Sequence, residues 1–146
     1  MEEDILQGLD DRAPLVAWIH NISLNQHKYM KKKFAGLDLF HDVRYLMFIY
    51  DNPKCSQEDL VNMFCQSKGN VAKVLKKLED EGFIERKTNP ENRRKYMLTV
   101  TEKGADLAPK YREISKQWEK EVGITDADAE FKKRLKEIAV NGSRLI

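Results

Sequence analysis

Cysteine is nearly absent. The chain of 146 residues has two, Cys55 and Cys65, too few for a disulfide framework and in keeping with a reducing compartment. No run of about 18 apolar residues occurs, so no membrane span is expected. The opening MEEDILQGLDD is acidic and has neither a basic n-region nor an apolar h-region. No secretory signal is therefore expected, and a cytoplasmic location is. Internal repeats and low-complexity tracts are missing. So is a strong charge imbalance: 26 Lys and Arg face 24 Asp and Glu, a formal +2, so the whole molecule is no polycation. Catalytic signatures are lacking as well. There is no Walker loop, dinucleotide fingerprint or nucleophile motif, and SKGNVAK (67–73) contains glycine without P-loop spacing. The expectation is a non-enzyme without a cofactor.

What is present is a core under a heavily solvated surface. Hydrophobic residues make up 41% and charged residues 34%, which at this length favours one domain with long helices. The charge is unevenly spread: residues 1–53 carry −2, 54–104 carry +3 and 105–146 carry +1. The basic excess lies around NPENRRK (89–95). A proline-initiated turn, three consecutive cations and no apolar residue cannot pack on a core. Such a tip is a solvated loop or is meant to meet an anion.

Periodicity supplies the elements. Leu15, Trp18, Ile19, Ile22, Tyr29, Met30 and Phe34 predict a helix over 12–36, with Gly36 as its stop. Asp38 or His41 opens a second helix to Tyr50, with Val43, Leu46, Met47 and Tyr50 inward, and Asn52-Pro53 ends it. Ser56-Gln57-Glu58-Asp59 fits a capping box for a helix over 56–64 that buries Leu60, Val61 and Phe64. Ser67 caps a helix over 67–81 with Val71, Val74, Leu75 and Leu78 inward and Gly82 beyond its end. FIERK (83–87) and YMLTVT (96–101) read as the strands of a hairpin around NPENRRK. Thr101 caps a helix to about 122, with Leu107, Tyr111, Ile114, Trp118 and Val122 on one stripe. Asp126 opens the last helix, with Phe131, Leu135, Ile138 and Leu145 inside.

Two helices joined by about two residues and followed by a hairpin make a winged helix-turn-helix. The fold class is mainly α with a small β-hairpin wing, flanked by long N- and C-terminal helices. The 67–81 helix divides cleanly: its apolar stripe faces in, while Lys68, Asn70, Lys73, Lys76 and Lys77 remain outside. That division suits a recognition helix, because Asn pairs bidentately with adenine and Lys reaches guanine O6 and N7. Lys-rich helix exteriors are also ordinary solvated faces, and Lys and Arg also protect sheet edges. The wing weighs toward DNA. Asn92, Arg93, Arg94 and Lys95 form a narrow cationic tip suited to phosphates or to the negative potential of a minor groove. With Ser67 at the helix start, these ten residues are the candidate DNA contacts.

The stretch PKCSQEDLVNMFCQSKGNVAKVLKKLEDEGFIERKTNPENRRKYMLTVTEKG (53–104) resembles the core of MarR-family transcriptional regulators. Ser56 to Leu60 matches the opening of the first helix-turn-helix helix, and Leu78, Gly82 and Arg86 fall where the family has Leu, Gly and Arg after its recognition helix. The wing pattern Asp-Arg-Arg followed by Leu-Thr-x-x-Gly stands here as Asn92-Arg93-Arg94 and Val100-Thr101-Glu102-Lys103-Gly104. Asn92 departs from the pattern: the family's Asp pairs with a wing Arg, whereas Asn can still accept a hydrogen bond but cannot form the ion pair. A more cationic, looser tip is expected.

The resemblance implies one domain over 1–146, with dimerisation helices at 12–36 and 102–146 around a DNA-binding lobe at 38–101. It implies a homodimeric regulator, read as a repressor, on a pseudo-palindromic duplex operator. It also implies a small aromatic or anionic effector in a cleft near Trp18, His20, Arg44 and Tyr45. The alternative is a non-specific architectural or protein-interaction winged helix. Peroxide-sensing relatives carry their cysteine in the first helix, which here has none. Cys65 is expected to be packed and Cys55 exposed. Zinc-sensing relatives need histidine on the helix after the wing, which this chain lacks. His20 and His27 stand about 10.5 Å apart along a helix, so no metal site is expected.

Overall fold

The structure is a computed structural model that describes residues 11–34 and 42–146. Its order is α1 (Leu15–Lys33), α2 (Val43–Asp51), α3 (Gln57–Phe64), α4 (Lys68–Asp80), β1 (Ile84–Asn89), β2 (Asn92–Val100), α5 (Glu102–Glu121), a 3-10 turn (Asp126–Asp128) and α6 (Ala129–Ser143). The chain is thus mainly helical with one antiparallel hairpin. Asp42 stands at the start of α2. The expected signals Gly36, Asp38 and His41 lie outside the described residues.

Local chemistry sets the boundaries. Before α3, Ser56 Oγ accepts from the Asp59 amide at 3.2 Å, and Asp59 Oδ2 accepts from the Ser56 amide at 2.7 Å. This closed capping box satisfies two donors at once. Cys65 then adopts a left-handed conformation (φ +49°) that ends α3 and turns the chain within two residues. Ser67 Oγ accepts from the Asn70 amide at 3.2 Å and opens α4. At the far end Gly82 (φ +78°) allows two closing bonds, Phe83 N to Leu78 O at 2.9 Å and Gly82 N to Glu79 O at 3.0 Å. That pair is a Schellman motif, and it throws the chain directly into β1.

The lobe's core joins α2, α3, α4 and the base of the hairpin. Leu46, Ile49, Leu60, Val71, Leu75, Leu78, Ile84 and Leu98 are sealed from solvent. Each such side chain contributes about 1.5–3 kcal/mol by burial. In α2 the inward face is Val43, Tyr45, Leu46 and Ile49. Met47 and Tyr50, expected inside, are only half-buried, because the helix is rotated so that Tyr45 stacks on Phe64 with ring centroids 4.5 Å apart. Cys55 joins the hairpin as an isolated antiparallel bridge to Leu98 and is buried, while Cys65 is exposed. This reverses the expectation for both thiols: the bridge pulls Cys55 inward, and the left-handed turn swings Cys65 out.

Burial pushes the Cys55 thiol up to about 11, with Asp59 adding to the shift. It is therefore protonated at neutral pH and a poor nucleophile. Alkylation of the folded protein is expected to label Cys65 rapidly and Cys55 only after denaturation. Two equally fast thiols in a maleimide time course would contradict this packing.

Helix α5 leaves the wing and runs beside α1. Gln26 Nε2 donates to Ser115 Oγ at 3.1 Å, and Tyr29 Oη lies 3.1 Å from Glu121 Oε1. Arg112 Nη2 grips both oxygens of Asp51 at 2.6 and 2.8 Å, tying α5 to the end of α2. Helix α6 is different: none of its residues is buried. Phe131 (55% exposed), Ile138 and Leu145, expected inside, stand in solvent in the single chain, and Leu135 is half-buried. Amphipathic spacing says which side of a helix is apolar, not which chain covers it. Ile22 of α1 and Val122 and Ile124 after α5 share with Phe131 and Leu135 an open hollow of about 690 Å³.

Candidate nucleic-acid interface

Thirteen residues long, α4 spans about 20 Å. Its buried stripe of Val71, Leu75 and Leu78 fixes the outward face. Lys68, Asn70, Lys73 and Lys76 lie exposed on it. Their surroundings differ. Lys68 and Lys73 have no acidic partner among the described residues, whereas Lys76 pairs with Asp80 at 3.1 Å one turn on. Asn70 Nδ2 lies 3.4 Å from Gln66 Oε1, a weak contact that leaves the amide able to re-pair. Ser67 spends its oxygen as an acceptor on the helix cap.

Lys77 is a correction to the exposed set. It is half-buried, and its ammonium lies 3.0 Å from Asp42, a carboxylate sealed at the start of α2. It clamps α4 to α2 instead of facing outward. A helical wheel drawn on α4 alone could not reveal this, because the acid comes from another helix.

The hairpin also departs from the sequence reading. The strands reach the tip, leaving Pro90-Glu91 as the turn. Pairing runs regularly from Ile84↔Val100 to Thr88↔Tyr96 and then jumps to Asn89↔Asn92. Arg93, Arg94 and Lys95 are thus extra residues bulged from β2, with no counterparts on β1. A bulge re-aims side chains out of strand alternation, which lets consecutive cations share one region. Two asparagines shape it. Asn89 Oδ1 accepts from the Glu91 amide at 2.9 Å, and Asn92 Oδ1 accepts from the Arg94 amide at 3.1 Å. Such side-chain-to-backbone turns are typical of Asn. Asn92 therefore contributes backbone shape without a charge, and Arg93 and Arg94 have no acidic partner among the described residues.

Between α3, the start of α4 and β2 runs a groove of about 220 Å³, walled by Glu58, Lys68, Arg86, Arg94, Lys95 and Tyr96. Gln57 Nε2 reaches Lys68 O at 3.3 Å and ties α3 to the α4 entrance. Arg86 Nε lies 3.1 Å from Glu79 Oε2, an ion pair bent away from hydrogen-bond geometry. Glu58 and Gln57, which the sequence reading treated only as capping-region residues, line the groove beside the wing. Hydrogen bonds from Ser56 hold the Asp59 carboxyl below the usual range, against a small burial effect and helped by the charge of Lys95. Because this pKa is lowered on folding, Asp59 stabilises the fold fully above the ordinary carboxylate range. That contribution fades as pH falls through the range below about 4. The stability gap between wild type and Asp59→Asn is expected to be flat near neutrality and to close in acid, as read from thermal melts.

The four effector candidates do not line one cleft. Arg44 lines a cleft of about 290 Å³ with Leu24, His27, Met30 and Tyr111. Tyr45 is buried against Phe64, and the Arg44 guanidinium lies over the same ring, 5.7 Å from its centroid. Trp18 is half-buried and His20 exposed on α1, and neither lines the cleft. Arg44 and Tyr45 thus share Phe64, but only Arg44 also faces the cleft. Burial pushes the Tyr111 hydroxyl up, partly offset by Arg44.

The MarR family model matches residues 41–96. The HTH-type transcriptional regulator BilQ of Clostridioides difficile is 30% identical over 123 residues, 84% of this chain and 83% of BilQ. The chain belongs to the MarR family. The solved structures agree. The crystal structure of MarR superposes with a TM-score of 0.78 at 29% identity, covering 94% of this chain and 96% of that one. A putative MarR family transcriptional regulator from Listeria monocytogenes, solved in complex with 26mer DNA, gives 0.80 at 26% identity over 90% and 91% of the two chains. Within the MarR frame, α4 takes the recognition-helix position and the β1–β2 hairpin is the wing.

Proposed function

We propose that this MarR-family chain is a sequence-reading transcription regulator that binds duplex DNA as a homodimer, most simply as a repressor in the cytoplasm. The observation that carries the reading is the groove that brings Lys68, at the start of α4, and Arg94 and Lys95 of the bulge to one surface. Lys68, Asn70 and Lys73 are the groups for base edges and nearby phosphates; Arg93 and Arg94 are the groups for the backbone or a minor groove. Ser67 and Asn92 shape these elements, and Lys77 holds α4 in place. The relative solved with 26mer DNA supports the duplex as the partner.

The homodimer rests on the apolar faces of α1 and α6, which a single chain leaves open. In this reading 12–36 and 102–146 pair with their copies and the 38–101 lobes hang from them. A two-fold axis then sets two α4 helices about 34–36 Å apart, one turn of duplex. The effector enters the cleft of Arg44, His27 and Tyr111, where a cation beside an aromatic suits a small aromatic anion. Release follows only if that ligand binds the DNA-free arrangement better.

Selection of the purified protein against a randomised duplex pool at near-physiological salt tests this reading. Enrichment of an inverted repeat with half-sites one turn apart is the expected result. Retention without a consensus points to an architectural binder, and absence of retention overturns DNA binding. On the wing, Asn92→Asp is expected to weaken binding to all duplexes by a few-fold, because the added charge opposes Arg94 while the turn persists. Unchanged affinity and salt slope would remove Asn92 from the interface.

A further inference from the structure

Lys95 differs from the two arginines before it. Its ammonium lies 3.4 Å from Glu58 Oε2, which reaches from the first turn of α3 across the groove to the wing. The bulge of Arg93 to Lys95 contains no acid of its own, and the register jump sends this last cation toward α3. Glu58 is not needed for the helix cap, which Ser56 and Asp59 complete between themselves. Its carboxylate instead faces the groove that also holds Lys68 and Arg94. An acid on a surface otherwise suited to phosphates costs affinity, so its placement opposite Lys95 has a consequence for binding.

We propose that Glu58 is a positioning residue that limits affinity: it holds Lys95 across the groove and withholds one wing cation from the DNA backbone. The inference rests on the duplex-binding reading above. Phosphate contacts strengthen binding to every sequence alike and supply most non-specific affinity. Holding one back therefore lowers the background on all DNA while leaving Asn70 to discriminate. Lys95 also favours the ionised form of neighbouring Asp59, in keeping with a wing docked on α3. Both partners are more than half exposed, so the restraint is modest and salt-sensitive.

The test is a double-mutant cycle on the full chain. Wild type, Glu58→Gln, Lys95→Met and the double variant are titrated by fluorescence anisotropy against a mixed-sequence duplex of about three turns (~30 base pairs) over a series of salt concentrations. Melting curves check that each variant is folded, and Glu130→Gln on α6 serves as the net-charge control. Glu58→Gln is expected to tighten binding about threefold near 0.1 M salt and to steepen the log–log salt slope of the dimer by about 1.8, one additional phosphate per protomer. In the Lys95→Met background the same change is expected to do almost nothing. No effect of Glu58→Gln, an equal effect without Lys95, or an equal effect from Glu130→Gln each overturns the proposal while leaving DNA binding intact. If folded wild type binds no duplex, the functional reading fails and this inference with it.

Discussion

Gly104→Ala is expected to lower the melting temperature by roughly 6–12 °C, for a cost of about 3 kcal/mol. Helix propensity alone argues the opposite, since Ala is favoured over Gly by about 1 kcal/mol inside a helix. The structure reverses the sign. A Cβ on Gly104 would lie 2.3 Å from the backbone oxygen of Phe83 and 3.2 Å from Leu46 Cδ1. The nearer atom is main chain and cannot turn aside. That oxygen is itself committed, accepting from the Thr101 amide at 3.0 Å. Thr101 Oγ1 lies 2.6 Å from Gly82 O and accepts from the Gly104 amide at 3.2 Å, and Lys103 Nζ donates to Glu81 O at 2.8 Å. This joint fastens the end of α4 to the start of α5. The contrasting site is Gly69 in the first turn of α4, where a Cβ meets nothing within 4 Å. Gly69→Ala is expected to melt no lower than wild type. Equal melting of wild type and Gly104→Ala would show that the α4–α5 joint can open without cost.

Asn70→Ala and Arg94→Ala are expected to damage DNA binding in different ways. Loss of the Asn70 amide removes a base-reading group, so affinity for the enriched site falls by about 1–3 kcal/mol while non-specific affinity barely moves. Loss of Arg94 removes a sequence-independent charge from each protomer, so specific and non-specific complexes weaken together and the salt slope of the dimer falls by about 1.8. Helix α4 presents Asn70 on its exposed face near its N-terminus, the part of a recognition helix that meets base edges. Arg94 sits in the bulge, its backbone held by Asn92 and its guanidinium without an acidic partner among the described residues. Competition titrations with enriched and mixed duplexes separate the outcomes. An Asn70→Ala variant with undiminished discrimination would mean that α4 contributes charge and shape but no base reading.

The sequence carried most of the local structure because its signals act over a few residues. The capping box at Ser56, the N-cap at Ser67, the left-handed Gly82 and the stripe of Val71, Leu75 and Leu78 each dictate their element through bonds or spacing within a turn or two. The same locality made the helix-turn-helix and its wing legible, and with them the family. Composition limited the partners, since a near-neutral chain with a basic middle segment leaves few surfaces for an anion.

Tertiary structure decided what depends on who sits opposite. Lys77 looks like any exposed lysine of α4 until Asp42 arrives from α2 at 3.0 Å. Lys95 looks like the third cation of a loose tip until the register jump carries it to Glu58. Cys55 and Cys65 exchange their expected burial because one joins a bridge to Leu98 and the other ends a helix in a left-handed turn. Phe131 and Ile138 have a helical pattern that asks for burial, yet both stay exposed in the single chain. Sequence by itself determined which elements form, through capping, periodicity and turn chemistry. Which of their charges are paired and which apolar faces stay open was decided by packing, because those partners are distant in sequence and meet only when the helices and the wing assemble.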